Sequence, residues 1–215
     1  MKVMFHFFCA LFIVTGCYAQ SSDPAAKKIL DQASAKIKSY KSIQATFTLQ
    51  VQDAQGASQG TKKGTINMKG NKYVVLITGQ EIFCDGKTMW TYDKSANEVT
   101  ITKVDANSNT ISPQKLFTNF YDKDFLYKLN GIKNINKKQL QEIEMTPVDK
   151  TKAFHTVYLL IDKQTNTIYS TKILNNTGET ITYTINTFNG KMNLDDKVFV
   201  FDKTKYPGVE EVDLR

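Results

Sequence analysis

Arginine, histidine and cysteine are scarce in this chain of 215 residues. Arg215 is the only arginine, so 27 of the 28 basic residues are lysine. Proteins that recognise nucleic-acid bases favour the planar guanidinium of arginine, and the lysines here are scattered rather than clustered. We therefore interpret the net charge of +7 as solubilising lysine on the outer face of a sheet, and we expect no nucleic-acid partner.

Motifs for catalysis and for metal binding are missing as well. His155 is the only histidine beyond the first twenty residues, and Cys84 is the one cysteine that could form a nucleophile pair with it. A lone cysteine more often packs as a small apolar side chain, and these two side chains do not make a metal site. Asp122 and Asp124 are interpreted as solvated caps of a helix end. We expect no enzyme activity, no catalytic residue, no metal and no cofactor.

The first nineteen residues differ from everything that follows. Lys2 precedes an apolar run over residues 3–14, which is too short to span a membrane and predicts a signal peptide over residues 1–19. Cleavage before Gln20 would leave a soluble periplasmic chain, which is the reading we favour. The alternative is a lipobox that ends at Cys17, which would leave a chain anchored to a membrane by a lipid.

If cleavage occurs before Gln20, Cys84 is the only cysteine of the mature chain. An internal disulfide is then impossible. A domain of this size must be stabilised by its own apolar core.

The mature chain begins with a helical pattern that gives way to strands. Residues 23–41 carry apolar side chains at spacings of three and four, with Asp23 placed to cap the helix and Pro24 at its first position. Residues 43–52 then alternate with a period of two, which predicts a half-buried strand. Short strands at hairpin spacing continue to Val104, and Asp85-Gly86 suits one of the turns. The pattern indicates an antiparallel meander.

A second helical pattern lies between Ile111 and Gly131, and a second block of strands follows it. That block ends with a predicted strand at Val198–Phe201. A sheet of ten or eleven short strands must curl, close or split. We predict an α+β fold in a single domain over residues 20–215. It is a half-open, strongly curved antiparallel β-barrel with the N-terminal helix and a helical lid over its concave face.

The apolar and aromatic side chains on one face of this sheet have two readings. They could fill a solid core, or they could line a hollow that accepts apolar guests. Alternation does not separate the two, because inward-facing residues are apolar in both.

Several stretches, in this order, resemble the outer-membrane lipoprotein carrier (LolA) family over essentially the whole mature chain. The most specific element is D-G-K-x-x-W-x-Y at Asp85–Tyr92. The stretches that carry the resemblance are SIQATFTLQV, GTINMKGNKYVV, IFCDGKTMWTYD, ISPQKLFTNF and VFVFDKTKYPGVEEVDLR.

The resemblance implies an incomplete antiparallel barrel with a helical lid. It also implies a periplasmic chaperone that receives acylated lipoproteins from an inner-membrane lipoprotein-releasing transporter and passes them to an outer-membrane acceptor. We expect a monomer. The lipid-binding candidates of the cavity and the lid are Phe47, Leu49, Val75, Ile77, Phe83, Trp90, Tyr92, Leu116, Phe117 and Phe120.

One position departs from the family pattern. Many relatives carry an arginine in the strand after the first hairpin, where it locks the barrel to the lid. This chain has Gly70 there, with Lys69 and Lys72 nearby, so the locking mechanism is not carried over. Two alternative functions share the fold: a membrane-anchored lipoprotein acceptor lipidated at Cys17, and a lipid sensor that regulates a sigma-factor pathway.

Overall fold

The computed structural model describes residues 22–105 and 121–215. They form one twelve-stranded sheet with two α-helices, α1 (Pro24–Lys38) and α2 (Tyr121–Asp124), and two 3₁₀ helices (Asp196–Phe199 and Lys203–Lys205). The strands are β1 (Ile43–Gln52), β2 (Ser58–Lys69), β3 (Lys72–Ile77), β4 (Gln80–Cys84), β5 (Thr88–Asp93), β6 (Glu98–Lys103), β7 (Phe125–Ile135), β8 (Lys138–Pro147), β9 (Phe154–Asp162), β10 (Ile168–Asn175), β11 (Thr180–Asn189) and β12 (Glu210–Asp213).

The N-terminal helix forms as its sequence pattern predicts. Asp23 caps it, since its carboxylate accepts a hydrogen bond from the Ala25 N–H at 2.7 Å. The same residue joins the helix to β7: its N–H donates to the Tyr127 carbonyl at 2.9 Å, and its carboxylate accepts from the Leu129 N–H at 3.0 Å. These bonds to backbone N–H groups lower the pKa of Asp23. One side chain therefore fixes both the start of α1 and its position on the sheet.

The sheet is curled and half-open, as predicted, although it has twelve strands rather than ten or eleven. Its strand order is β12-β6-β5-β4-β3-β2-β1-β11-β10-β9-β8-β7. All neighbours are antiparallel except β12, which pairs with β6 in parallel. The two blocks of strands meet where β1 pairs with β11, with Phe47 opposite Ile185. Since β12 and β7 are the two ends of the order, the barrel is not closed between them.

The second helical pattern is only partly helical in the structure. Of its described residues, 121–124 form α2, but Phe125–Ile135 is strand β7 rather than helix. Phe125 and Tyr127 alternate with more exposed neighbours and face the core. Phe125 and Tyr127 are two positions apart, which is the spacing of a strand, but other aromatic residues nearby obscure that pattern in the sequence. The helix prediction was therefore wrong over β7.

Helix α1 lies on the concave face and contributes to two apolar clusters there. The first cluster packs α1 residues such as Ile29 and Leu30 against inward-facing side chains of β7–β10. The second packs Ile37, at the other end of the helix, against β1–β4. Placement of the N-terminal helix over the concave face is thus confirmed.

The C-terminal strap, which we define as residues 191–214, crosses the convex face of β1–β6. Near its start, Ser42 donates a hydrogen bond from Oγ to the Met192 carbonyl at 2.5 Å. Lys69 and Lys72 then bind the Asp196 carboxylate at 2.8 and 2.7 Å, and these two ammonium groups lower the pKa of Asp196 to about 2. The strap ends as β12 beside β6.

The predicted strand at Val198–Phe201 was wrong, because residues 196–199 form a 3₁₀ helix that contacts β3. Phe199 in this helix is fully buried (0% exposed), whereas Val200 is 42% exposed. The buried apolar residue of this stretch therefore packs the strap against the sheet. The stretch does not pair as a strand of the sheet.

This burial predicts a large difference between two neighbouring substitutions. Phe199→Ala removes a fully buried ring and should lower the free energy of unfolding by about 3–5 kcal/mol, whereas Val200→Ala should change it by no more than about 0.5 kcal/mol. Urea unfolding monitored by circular dichroism measures both. Equal effects of the two substitutions would show that the strap is not packed as described.

Candidate functional site

Four of the residues predicted to line a cavity share the concave face. On β1, Phe47 lies opposite Gly64 of β2, which lies opposite Ile77 of β3. Because residues directly opposite in antiparallel strands point to the same side, Phe47 and Ile77 face the same way. Val75, two residues from Ile77, and Leu49, two residues from Phe47, join them. The structure therefore brings Phe47, Leu49, Val75 and Ile77 together.

A glycine on the neighbouring strand gives Phe47 its position. A Cβ atom at Gly64 would lie 2.4 Å from Cζ of Phe47 and 2.9 Å from the Leu76 carbonyl oxygen. The phenylalanine ring thus occupies the space that any other residue at position 64 would need. The absence of a side chain at Gly64 thus lets the Phe47 ring lie close to the backbone of β2.

The concave face keeps apolar surface that is only partly covered. Around the buried second cluster lie half-buried apolar side chains from β1, β3, β4 and β11, and from the segment that follows α1. They are Tyr40, Leu49, Ile77, Ile82, Tyr183, Ile185 and Phe188. A core that was filled throughout would bury such residues. This region therefore has the composition of a binding surface for apolar groups.

Five of those residues were not predicted as binding residues from the sequence, and three of the five, Tyr183, Ile185 and Phe188, lie on β11. The sequence does carry a signal for them, since Ile181, Tyr183 and Ile185 alternate with threonine and asparagine. What the sequence could not show is that β11 pairs with β1, which places these residues beside Phe47 and Leu49.

Phe83, Trp90 and Tyr92 lie on the opposite, convex face, so their predicted place on a common wall with Phe47 was wrong. Phe83 lies opposite Trp90 in the β4–β5 pair and opposite Val74 in the β3–β4 pair. Val74 is adjacent to the concave residue Val75 and points the other way.

These convex aromatic residues pack against the C-terminal strap. The ring centroid of Phe201 lies 5.7 Å from that of Phe83 and 5.9 Å from that of Tyr92. Tyr206 stacks on Phe201 at 4.4 Å and donates a hydrogen bond from its hydroxyl to Glu81 Oε2 at 2.5 Å. Trp90 packs against the same cluster. The D-G-K-x-x-W-x-Y element thus supports the strap.

The concave side of β5 and β6 is correspondingly more polar. Met89, Thr91, Thr100 and Thr102 face inward there, as their pairing shows. Within the described residues, the Oγ1 of Thr102 is buried without a hydrogen-bond partner. The continuous apolar lining therefore extends over β1–β4 and β7–β11.

The lid candidates Leu116, Phe117 and Phe120 lie outside the described residues. The residue that follows them, Tyr121, is buried and donates a hydrogen bond from its hydroxyl to Asp31 of α1 at 2.8 Å. Burial and the Asp31 carboxylate raise the pKa of this phenol. Lys27 bridges Asp31 and Asp122 at 3.1 Å each, so α2 is fastened to α1.

Gly70 has no side chain, and the two lysines beside it point away from the concave face. Gly70 has a positive φ of 59° in the tight turn between β2 and β3. Lys69 and Lys72, on either side of the turn, bind Asp196 of the strap on the convex side. The cations closest to the position of the family arginine are therefore engaged away from the concave face.

Cys84 and His155 do not form a catalytic pair. Cys84 is fully buried in the second cluster on β4, and burial raises the pKa of its thiol. His155 is exposed on β9 and shares a hydrogen bond of 2.9 Å with Thr156.

In the part of the chain that the structure describes, no three potential metal ligands lie together. Within residues 22–105 and 121–215, no helix has both the length and the apolar composition needed to cross a bilayer.

Comparison with known proteins gives consistent matches. The family model described as "Outer membrane lipoprotein carrier protein LolA" matches residues 38–202. The outer-membrane lipoprotein carrier protein of Cupriavidus necator is 29% identical over 157 residues, covering 67% of this chain and 72% of that protein. The corresponding protein of Cupriavidus taiwanensis is 30% identical over 142 residues, covering 62% and 65%.

A solved structure supports the fold independently of the sequence. An uncharacterised conserved protein from Thermus thermophilus superposes with a TM-score of 0.60 at 14% identity, covering 88% of this chain and 99% of that one. At such low identity the likeness concerns the fold alone. The family model, by contrast, matches more than half of the sequence, and its residues include the whole of the concave face from β1 to β11. This chain therefore belongs to the LolA family of outer membrane lipoprotein carrier proteins.

Proposed function

We propose that this protein is a periplasmic carrier that holds the acyl chains of lipoproteins against its concave face and takes them from the inner to the outer membrane. The observation that carries the proposal is the half-buried apolar surface around Phe47, Leu49 and Ile77, which β11 extends through Tyr183 and Ile185. Membership of the LolA family supports the same assignment. Val75 forms part of the lining, and Leu116, Phe117 and Phe120 remain predicted lid residues.

An apolar surface of this kind suits transport because it attracts acyl chains without fixing them. Each buried CH₂ group gains about 0.8 kcal/mol on leaving water, so two long chains supply a large driving force. The attraction is non-directional, which lets chains slide in and out without breaking a set of specific bonds. The carrier can therefore shield its cargo and still release it.

Loading must draw energy from a partner. The sequence contains no phosphate-binding loop of the G-x-x-x-x-G-K-[ST] type, so we assign that energy to an inner-membrane lipoprotein-releasing transporter. Delivery requires an acceptor in the outer membrane that binds acyl chains more tightly. We propose that the protein acts in this pathway as a monomer and that acylated lipoproteins are its cargo.

Two adjacent residues on opposite faces of β3 test the location of the site. Ile77 is half-buried on the concave face, and Leu76 is 39% exposed on the convex face. Ile77→Asp places a carboxylate where acyl chains would bind, and desolvating it should reduce retained diacyl lipid at least about tenfold. Leu76→Asp should retain lipid as the wild type does.

Bound lipid is measured by mass spectrometry after gel filtration, and circular dichroism establishes that both variants are folded. Equal retention by the two folded variants would place the binding surface elsewhere.

The single tryptophan provides a second test. Because Trp90 lies on the convex face against the strap, loading with diacyl lipid should leave its emission maximum unchanged. A tryptophan introduced on the concave face, Ile185→Trp in a Trp90→Phe background, should shift to shorter wavelength on loading. Fluorescence titration with the same lipid measures both proteins. A blue shift of Trp90 in the wild type would contradict the assignment of faces.

The mature N-terminus decides between the soluble carrier and an anchored acceptor. We predict cleavage before Gln20, which gives a chain that begins with glutamine or pyroglutamate. Mass analysis of the protein purified from its host measures this directly. A diacylated Cys17 would instead favour the membrane-anchored acceptor.

A further inference from the structure

Tyr183 is an unusual residue for the centre of an apolar face. It lies on β11, opposite Leu49 of β1 and Thr171 of β10, and it packs against both concave clusters. Its ring centroid lies 6.0 Å from that of Phe47. The phenol therefore stands where the two halves of the apolar lining meet.

The hydroxyl of Tyr183 forms no hydrogen bond within the described residues. Burial alone raises its pKa, and no donor or acceptor contributes to that shift. The Tyr183 side chain is half-buried rather than enclosed, so its hydroxyl is accessible from the concave side and can donate to a bound ligand without giving up a bond to the protein. A second polar side chain, Thr171, lies directly opposite on the same face and is only 2% exposed. Two hydroxyl-bearing side chains thus interrupt an otherwise apolar surface at one point.

We infer that the Tyr183 hydroxyl donates a hydrogen bond to the carbonyl oxygen of an acyl ester in the cargo. The inference rests on the proposed carrier function. An acyl chain brings almost no hydrogen-bonding atoms into an apolar site; the ester carbonyl at its head is the acceptor that enters with it. A single donor at the junction of the two clusters would hold one ester carbonyl and so fix how far that acyl chain enters, while leaving its methylene groups free to slide.

A pair of lipids that differ only in this carbonyl tests the inference. Dipalmitoylglycerol carries two ester carbonyls, whereas di-O-hexadecylglycerol has the same chain length and ether oxygens. Offered an equimolar mixture, the wild type should retain the ester lipid about fivefold over the ether lipid, the factor expected for one neutral hydrogen bond. Mass spectrometry of the retained lipid gives the ratio.

Two tyrosine substitutions localise the effect. Tyr183→Phe removes only the hydroxyl, so it should bring the ratio to about one while ether-lipid retention stays unchanged. Tyr73→Phe is the matched control on the same face, because the Tyr73 hydroxyl already has a partner in Met89 Sδ at 3.5 Å. That variant should keep the wild-type preference.

The possible results separate the inference from the function on which it rests. Equal retention of both lipids by the wild type, or an undiminished preference in Tyr183→Phe, would overturn the ester hydrogen bond and leave the carrier function standing. Retention of neither lipid would overturn the carrier function itself.

A displacement experiment shows whether the bound ester belongs to a lipoprotein or to a free glycerolipid. A lipopeptide with a dipalmitoylglyceryl cysteine carries the same ester carbonyls as free dipalmitoylglycerol. Its displacement of bound dipalmitoylglycerol would support the inference with lipoproteins as the source. Failure to displace it would support the inference with free glycerolipids instead.

Discussion

The structure depends on covering a sheet whose strand β3 is apolar on both faces. On β3, Val74 is buried on the convex side and Val75 on the concave side. A curled sheet that does not close cannot bury both faces within itself, so each face needs a separate segment. Helix α1 packs on the concave face, and the C-terminal strap packs on the convex face of the first block of strands. The two segments differ in how completely they cover the sheet. The strap packs on the convex aromatic cluster, whereas α1 leaves the surface around Phe47 partly exposed.

The open edge of the barrel imposes a second constraint. Unpaired strand edges expose N–H and C=O groups that invite association with other chains. At β7 this edge is occupied in part by Asp23, which supplies an N–H to the Tyr127 carbonyl and a carboxylate oxygen to the Leu129 N–H. At the other end, β12 adds a short parallel strand beside β6. Both edges of the half-open barrel are thus partly covered, one by the cap of α1 and the other by the end of the strap.

Much of the fold could be predicted from alternation, and the failures share one cause. Alternation correctly grouped Phe47 with Leu49, and Trp90 with Tyr92, because side chains two apart on a strand share a face. It does not say which face is concave. On β5 the apolar face points outward, since the strap supplies partners there. The same dependence on distant segments explains why Tyr183 was not identified as a lining residue, since its place on the concave face follows from the pairing of β11 with β1.

The pairing of β12 with β6 also has a consequence for how the chain folds. More than one hundred residues separate Glu98 from its partner Glu210, so this contact joins segments that are distant in the sequence. Until the strap is available, the rings of Phe83, Trp90 and Tyr92 stand exposed on strands that can already pair as local hairpins. A chain without the strap would therefore expose a broad aromatic surface of the kind that favours association. The outer aromatic surface is therefore covered only in a chain that extends through Phe201, Tyr206 and Val209 of the strap.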